Sequence, residues 1–157
     1  MALTRMSDTE YDTDFVAWAE TQARALRAHA AGGNAPVDWE NVAEEIESLG
    51  RSDRRQLASH VATIIEHLIY LQTASAPGAR DGWKETVSRV RDEIADPLLA
   101  ESPSLRAGLD EIVRKQHAPA RRNAARKFAL HGEVPNMPVE GIAFSPAQVL
   151  EDWWPPD

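Results

Sequence analysis

The stretch Asp38-Trp39-Glu40-Asn41-Val42-Ala43-Glu44-Glu45-Ile46-Glu47-Ser48-Leu49-Gly50 decides how the fold is read. Asp38 is an N-cap by type, since its carboxylate can accept from free backbone N–H groups. Gly50 reads as a stop, because glycine takes positive φ without steric penalty. Between them Trp39, Val42, Ile46 and Leu49 recur at steps of 3, 4 and 3, which predicts a helix with that stripe turned to the core. Glu40, Glu44 and Glu47 share another face, with Glu45 at the margin of the stripe. Carboxylates crowded on so short a helix repel one another. It therefore needs an apolar partner and a cationic or metallic neighbour.

Downstream, Ser52 reads as the cap of a third helix, and a break at Gly50 is favoured over one continuous helix. Leu57, Val61, Ile64, Leu68 and Leu71 follow at steps of 4, 3, 4 and 3, the strongest periodicity in the chain. Ile65 and Ile69 widen this stripe, so the third helix is expected to be central. Ala76-Pro77-Gly78-Ala79 reads as a loop. A fourth helix is expected from Trp83, with Val87, Val90 and Ile94 inward. Pro97 ends or kinks it by disfavouring the helical conformation at Asp96. Ser102-Pro103 opens a fifth helix carrying Leu105, Leu109, Ile112 and Val113, interrupted at Pro119 and continued past a kink from Arg121 to Leu130.

Upstream, residues 1–10 read as a loose lead-in. The first helix is expected from Asp12, with Tyr11 and Val16 at the two positions of a hydrophobic staple. Phe15, Trp18, Ala19 and Leu26 form its buried face, Gly32-Gly33 ends it, and Asn34 to Val37 is a loop. From Phe128 onward there is no Lys or Arg, and five of the ten prolines fall there. This predicts an irregular arm over 132–157 with one short helical turn at Ser145-Pro146 and Trp153-Trp154 clamping it down. No stretch alternates with a period of two, so the expected fold is all-α: a single domain over 1–157, a bundle of about five helices.

The composition narrows the functional classes. At 157 residues the chain can bury one real core, and 43% hydrophobic with 27% charged residues is ordinary for a globular protein. A formal charge of −8 argues against general affinity for nucleic acid or anionic membrane. The absence of cysteine removes disulfides, thiol nucleophiles and cysteine-held metal centres. It also fits a reducing cytoplasm, the expected location. Residues 1–10 lack the apolar core of a signal peptide, and no apolar run is long enough to span a bilayer.

Several stretches together resemble a bacterial family catalogued as domain of unknown function 29. They are Tyr11-Asp12-x-Asp14-Phe15-x-x-Trp18, the run from Asp38 to Arg51, His67-Leu68, Trp83, the Glu101-Ser102-Pro103-Ser104-Leu105 turn and Leu150-x-x-Trp153. The resemblance implies a small all-helical bacterial protein and brings no activity or cofactor with it. Pro119 departs from the family pattern, which reads as an unbroken helix at that point.

Three constellations could carry chemistry. His60 and His67, seven residues apart on one helical face, would join Glu44 or Glu47 in a divalent metal site if the acidic helix folded back alongside. This is the one cofactor class the residues suggest, although the Glu-x-x-His pairs of di-iron bundles and His-Glu-x-x-His are absent. Glu44-Glu45 with Glu93-x-x-Asp96 is a second, weaker set, of the kind that holds magnesium for phosphate chemistry. Third, Arg114, Lys115, Arg121, Arg122, Arg126 and Lys127 make a basic run without an acid, an interaction surface if not an internal partner for the acidic helix. Few aromatic residues interleave with it, so nucleic acid is not its expected partner. No phosphate-cradling glycine loop or nucleophile elbow is present. The reading that results is a non-catalytic interaction or structural module, a homodimer through an exposed helix face, with a metal-binding bundle as the alternative.

Overall fold

The computed structural model describes residues 7–32 and 39–156. Among them the fold is all-α, with no strand. The helices are α1 (Ser7–Thr13), α2 (Phe15–Ala30), α3 (Trp39–Thr73), α4 (Arg80–Glu93), α5 (Pro103–Ala107), α6 (Leu109–His131) and α7 (Pro146–Leu150). The expected cap at Asp38, the stop at Gly33 and the loop over 34–37 lie outside the described residues. Two compact units emerge, one from the described residues up to 56 with residues 96–107, the other from residues 57–95 and from 108 onward.

In the first unit the chain departs from the expected start. A short α1 already covers residues 7–13, and the cap of the next helix is Asp14 rather than Asp12. Asp14 accepts from the Ala17 N–H at 3.0 Å. Its second oxygen accepts from the Ser104 N–H at 2.6 Å, while Ser104 Oγ donates to the first at 2.7 Å. One carboxylate thus caps α2 and the first turn of α5, satisfying donors that neither helix can satisfy internally. Around it Tyr11 packs edge-on against Phe15 and Trp18, which stack with centroids 5.6 Å apart.

Gly50 does not stop a helix, and α3 runs through it without a break. A Cβ built there would lie 3.5 Å from Val16 Cγ1 and 3.7 Å from Ala19 Cβ, so the residue marks the line along which α2 and α3 approach closely. The stripe expected to face the core is also displaced. Ala43 and Gly50 are buried and Trp39 and Ile46 half-buried, whereas Val42 and Leu49 are 39% and 51% exposed. Close approach of two helices selects small residues for the shared face, and this overrides the preference for large ones.

The second unit matches the sequence reading more closely. Leu57, Val61, Ile64, Ile65, Leu68, Ile69 and Leu71 are all buried, each contributing on the order of 1.5–3 kcal/mol on removal from water. A single 3-10 turn, Pro77–Ala79, leads into α4, which starts at Arg80, one turn before the expected Trp83. Val87, Val90 and Ile94 face inward as expected. Asp96, ahead of Pro97, has φ −139° and ψ 121°, the extended conformation that a following proline imposes.

Two expectations about the fifth helix are corrected. It is two helices, parted at Gly108, whose carbonyl accepts from the Ile112 N–H. And α6 continues through Pro119. The ring deletes one backbone hydrogen bond, a penalty of about 3 kcal/mol. Val113, His117, Ala120, Ala124 and Phe128 are buried on both sides of it, and a break would unseat that face.

Helix α6 ends at Gly132 in the left-handed region, φ 66°, where the Glu133 N–H returns to the Phe128 carbonyl. The arm beyond it buries Val139, Ile142, Phe144 and Val149, and α7 carries a full capping box between Ser145 and Gln148. Buried Arg91 on α4 holds it, donating to the carbonyls of Val149, Gln148 and Trp153 at 2.9–3.0 Å and lying 4.8 Å over the Trp154 ring. On α6, His117 Nε2 accepts from the Phe144 N–H at 2.9 Å. Its Nδ1 therefore carries the proton and donates to the Val113 carbonyl at 2.8 Å.

Candidate functional site

The acidic stretch finds arginines. Arg27 on α2 donates to Glu40 at 2.8 Å and to Glu47 at 3.0 Å, and Arg51 reaches Glu44 at 3.5 Å and Glu47 at 3.3 Å. Arg54 pairs with Glu20 of α2 at 2.6 Å. The Arg27 hydrogen bond holds the Glu47 carboxyl below its ordinary range, and Glu40 and Glu47 raise Arg27 in return. The cationic neighbour that the sequence requires is therefore local, on α2 and one turn further along α3. Pairs this exposed hold side chains in place but are individually weak.

His60 and His67 sit on the later part of the same uninterrupted α3, several turns beyond Glu44 and Glu47, so the fold-back on which the metal set depends is not made. Among the described residues no group of three or more His, Asp or Glu side chains could hold a metal ion. His60 Nδ1 stands 3.6 Å from Glu93, which also accepts from Arg89. His67 Nδ1 is 2.8 Å from the Thr63 carbonyl, and burial lowers its pKa. Since Asp96 leaves the helical conformation, Glu93 and Asp96 do not share a helical face either.

The basic run is spread around α6. Arg114 and Lys115 both pair with Glu111, and Arg121 donates to the carbonyl of Glu140. Arg122 and Arg126 are exposed, without a side-chain partner among the described residues. Lys127 stands 3.8 Å from Glu66 and 5.4 Å over the ring of Tyr70.

Lys127 leads to a feature that the sequence does not announce. Tyr70, only 4% exposed, donates to Glu66 at 2.5 Å, and burial followed by that bond raises its pKa well above the usual phenol range. Trp83, Phe128 and His67 each surround it with ring centroids 5.5 Å away. Beside these rings lies a pocket of about 230 Å³ lined by Tyr70, Trp83, Lys127, Phe128, His131 and Glu133. All of this belongs to the second unit. Helical spacing could have linked Glu66, His67 and Tyr70, which lie within one turn. No local signal links them to Trp83 on α4 or Phe128 on α6.

A family model described as "Domain of unknown function DUF29" matches residues 10–154. No curated protein matches the chain. Among solved structures, an alpha-helical protein of unknown function from Rhodospirillum rubrum is similar in fold. Its TM-score is 0.72 at 24% sequence identity, with 90% of this chain and 89% of that one covered. Among the described residues no helix is long and apolar enough to cross a membrane.

Proposed function

The chain belongs to the DUF29 family, and we propose that it is a non-catalytic interaction module of the bacterial cytoplasm which pairs with a second copy through the N-terminal half of α3. The exposure of Val42 and Leu49 supports this reading. Seven residues apart, they lie on one helix flank, and a helix otherwise so acidic gains nothing from large apolar side chains in water. An antiparallel pair seats Val42 of one copy against Leu49 of the other, as a two-fold interface requires, while Glu40, Glu44 and Glu47 stay on the other side of the helix with Arg27 and Arg51. The exposed Arg122 and Arg126 provide a second surface, suited to an acidic protein partner.

Analytical ultracentrifugation across a range of concentrations tests the pairing. A dimer is expected, converted to monomer by Leu49→Lys with little change in melting temperature. A monomer at every concentration, or a dimer indifferent to Leu49→Lys, overturns it. Elemental analysis of the same sample, purified without chelator, decides the alternative. Stoichiometric metal lost on His67→Ala would favour a metal-binding bundle instead.

A further inference from the structure

We propose that the pocket beside Tyr70 binds a free aromatic α-amino acid. Three walls are aromatic, supplied by Tyr70, Trp83 and Phe128, and the space of about 230 Å³ suits a single small molecule with a planar side chain. The walls are preformed. Tyr70 is pinned through its hydroxyl to Glu66 at 2.5 Å, and Phe128 meets its ring edge-on, with an interplanar angle of 90°. A ligand entering such a slot need not pay for ordering it.

Charge narrows the ligand further. The rim offers one ammonium, Lys127, and one carboxylate, Glu133, with His131 between them in sequence. Lys127 is half-exposed, 3.8 Å from Glu66 and 5.4 Å over the Tyr70 ring, which sets its ammonium at the pocket for an incoming carboxylate. Glu133 has no side-chain partner among the described residues, and it follows directly on the C-terminal end of α6, whose last carbonyls also favour a cation. An aromatic acid without an amine would leave Glu133 repelling it. An aromatic amine without an acid would meet Lys127. A zwitterion carrying both groups on one carbon beside an aromatic ring satisfies the two together. This site is independent of the pairing proposed above, and the Leu49→Lys protein should bind as the natural one does.

Isothermal titration of the full chain with L-tryptophan and L-phenylalanine, against indole-3-propionate and tryptamine, provides the test. Saturable one-to-one binding of the amino acids is expected, with each singly charged analogue weaker by about tenfold or more. Lys127→Gln and Glu133→Gln, both at exposed positions, should each weaken L-tryptophan by about tenfold while leaving the melting temperature unchanged. Absence of binding by either amino acid, equal binding of tryptamine or of indole-3-propionate, or indifference to both substitutions would each overturn the proposal.

Discussion

The first half of α3, up to Gln56, rests on small residues and arginines, whereas its second half, from Leu57, rests on a continuous buried apolar stripe. Both are helical and the chain passes between them without interruption, yet they are stabilised by different physics. Exposed ion pairs are screened and weak, and the contacts that Ala43 and Gly50 allow are close but small. The apolar stripe of the second half removes several large side chains from water completely. Secondary structure alone therefore says little about how firmly a segment is held.

The largest expected effect lies in the second half. Leu68→Ala should lower stability by about 2–5 kcal/mol, through lost transfer energy and the cavity left behind, measured by urea unfolding. A loss below about 1 kcal/mol would mean that the stripe is not the core it is taken to be.

Next in size is the clamp on the C-terminal arm. Arg91→Leu leaves three carbonyls without their donor and should destabilise by about 2–4 kcal/mol. Limited proteolysis should then cut first within residues 133–156, and unchanged resistance there would show that Arg91 does not hold the arm.

In the first unit, Asp14→Ala removes a cap shared by two helices and should cost about 1–2 kcal/mol, read as a lowered melting temperature. Asp14→Asn, which keeps an acceptor for one of the two helices, should recover part of it. No difference between the two variants would count against the shared cap.

The smallest effect concerns pH. Burial lowers the pKa of His117, and protonation would remove the lone pair that accepts from Phe144. The folded protein disfavours the proton more than the unfolded chain does, so unfolding takes up a proton. This contribution to stability is whole above the ordinary histidine pKa of about 6.5 and is lost as pH falls from there toward the lowered folded value. His117→Gln should flatten the dependence in part, leaving the slope that His67 contributes, which shifts in the same direction. An unaltered slope would exclude His117 as its source.

The same contrast explains what the sequence could and could not disclose. The stripe from Leu57 to Leu71 was legible because large residues at helical spacing have one use in a protein of this size. Asp96 before Pro97 and Ser145 before Pro146 were legible because proline dictates local geometry whatever surrounds it. Gly50 misleads because its helix penalty of about 1 kcal/mol is local, while the close approach to Val16 and Ala19 that accommodates it is tertiary. Val42 and Leu49 mislead for the related reason that periodicity names a face without naming what covers it. Arg91 gave no signal among its charged neighbours, and Tyr70, Trp83 and Phe128 meet only because α3, α4 and α6 pack together in one unit.

Amide hydrogen exchange along α3 tests the contrast most directly. The amides of residues 57–73 should exchange slowest, near the rate set by global unfolding, while those of residues 39–56 should open locally and exchange much faster, more so at high salt. Uniform protection from Trp39 to Thr73, or protection of the acidic half that does not respond to salt, would contradict the account.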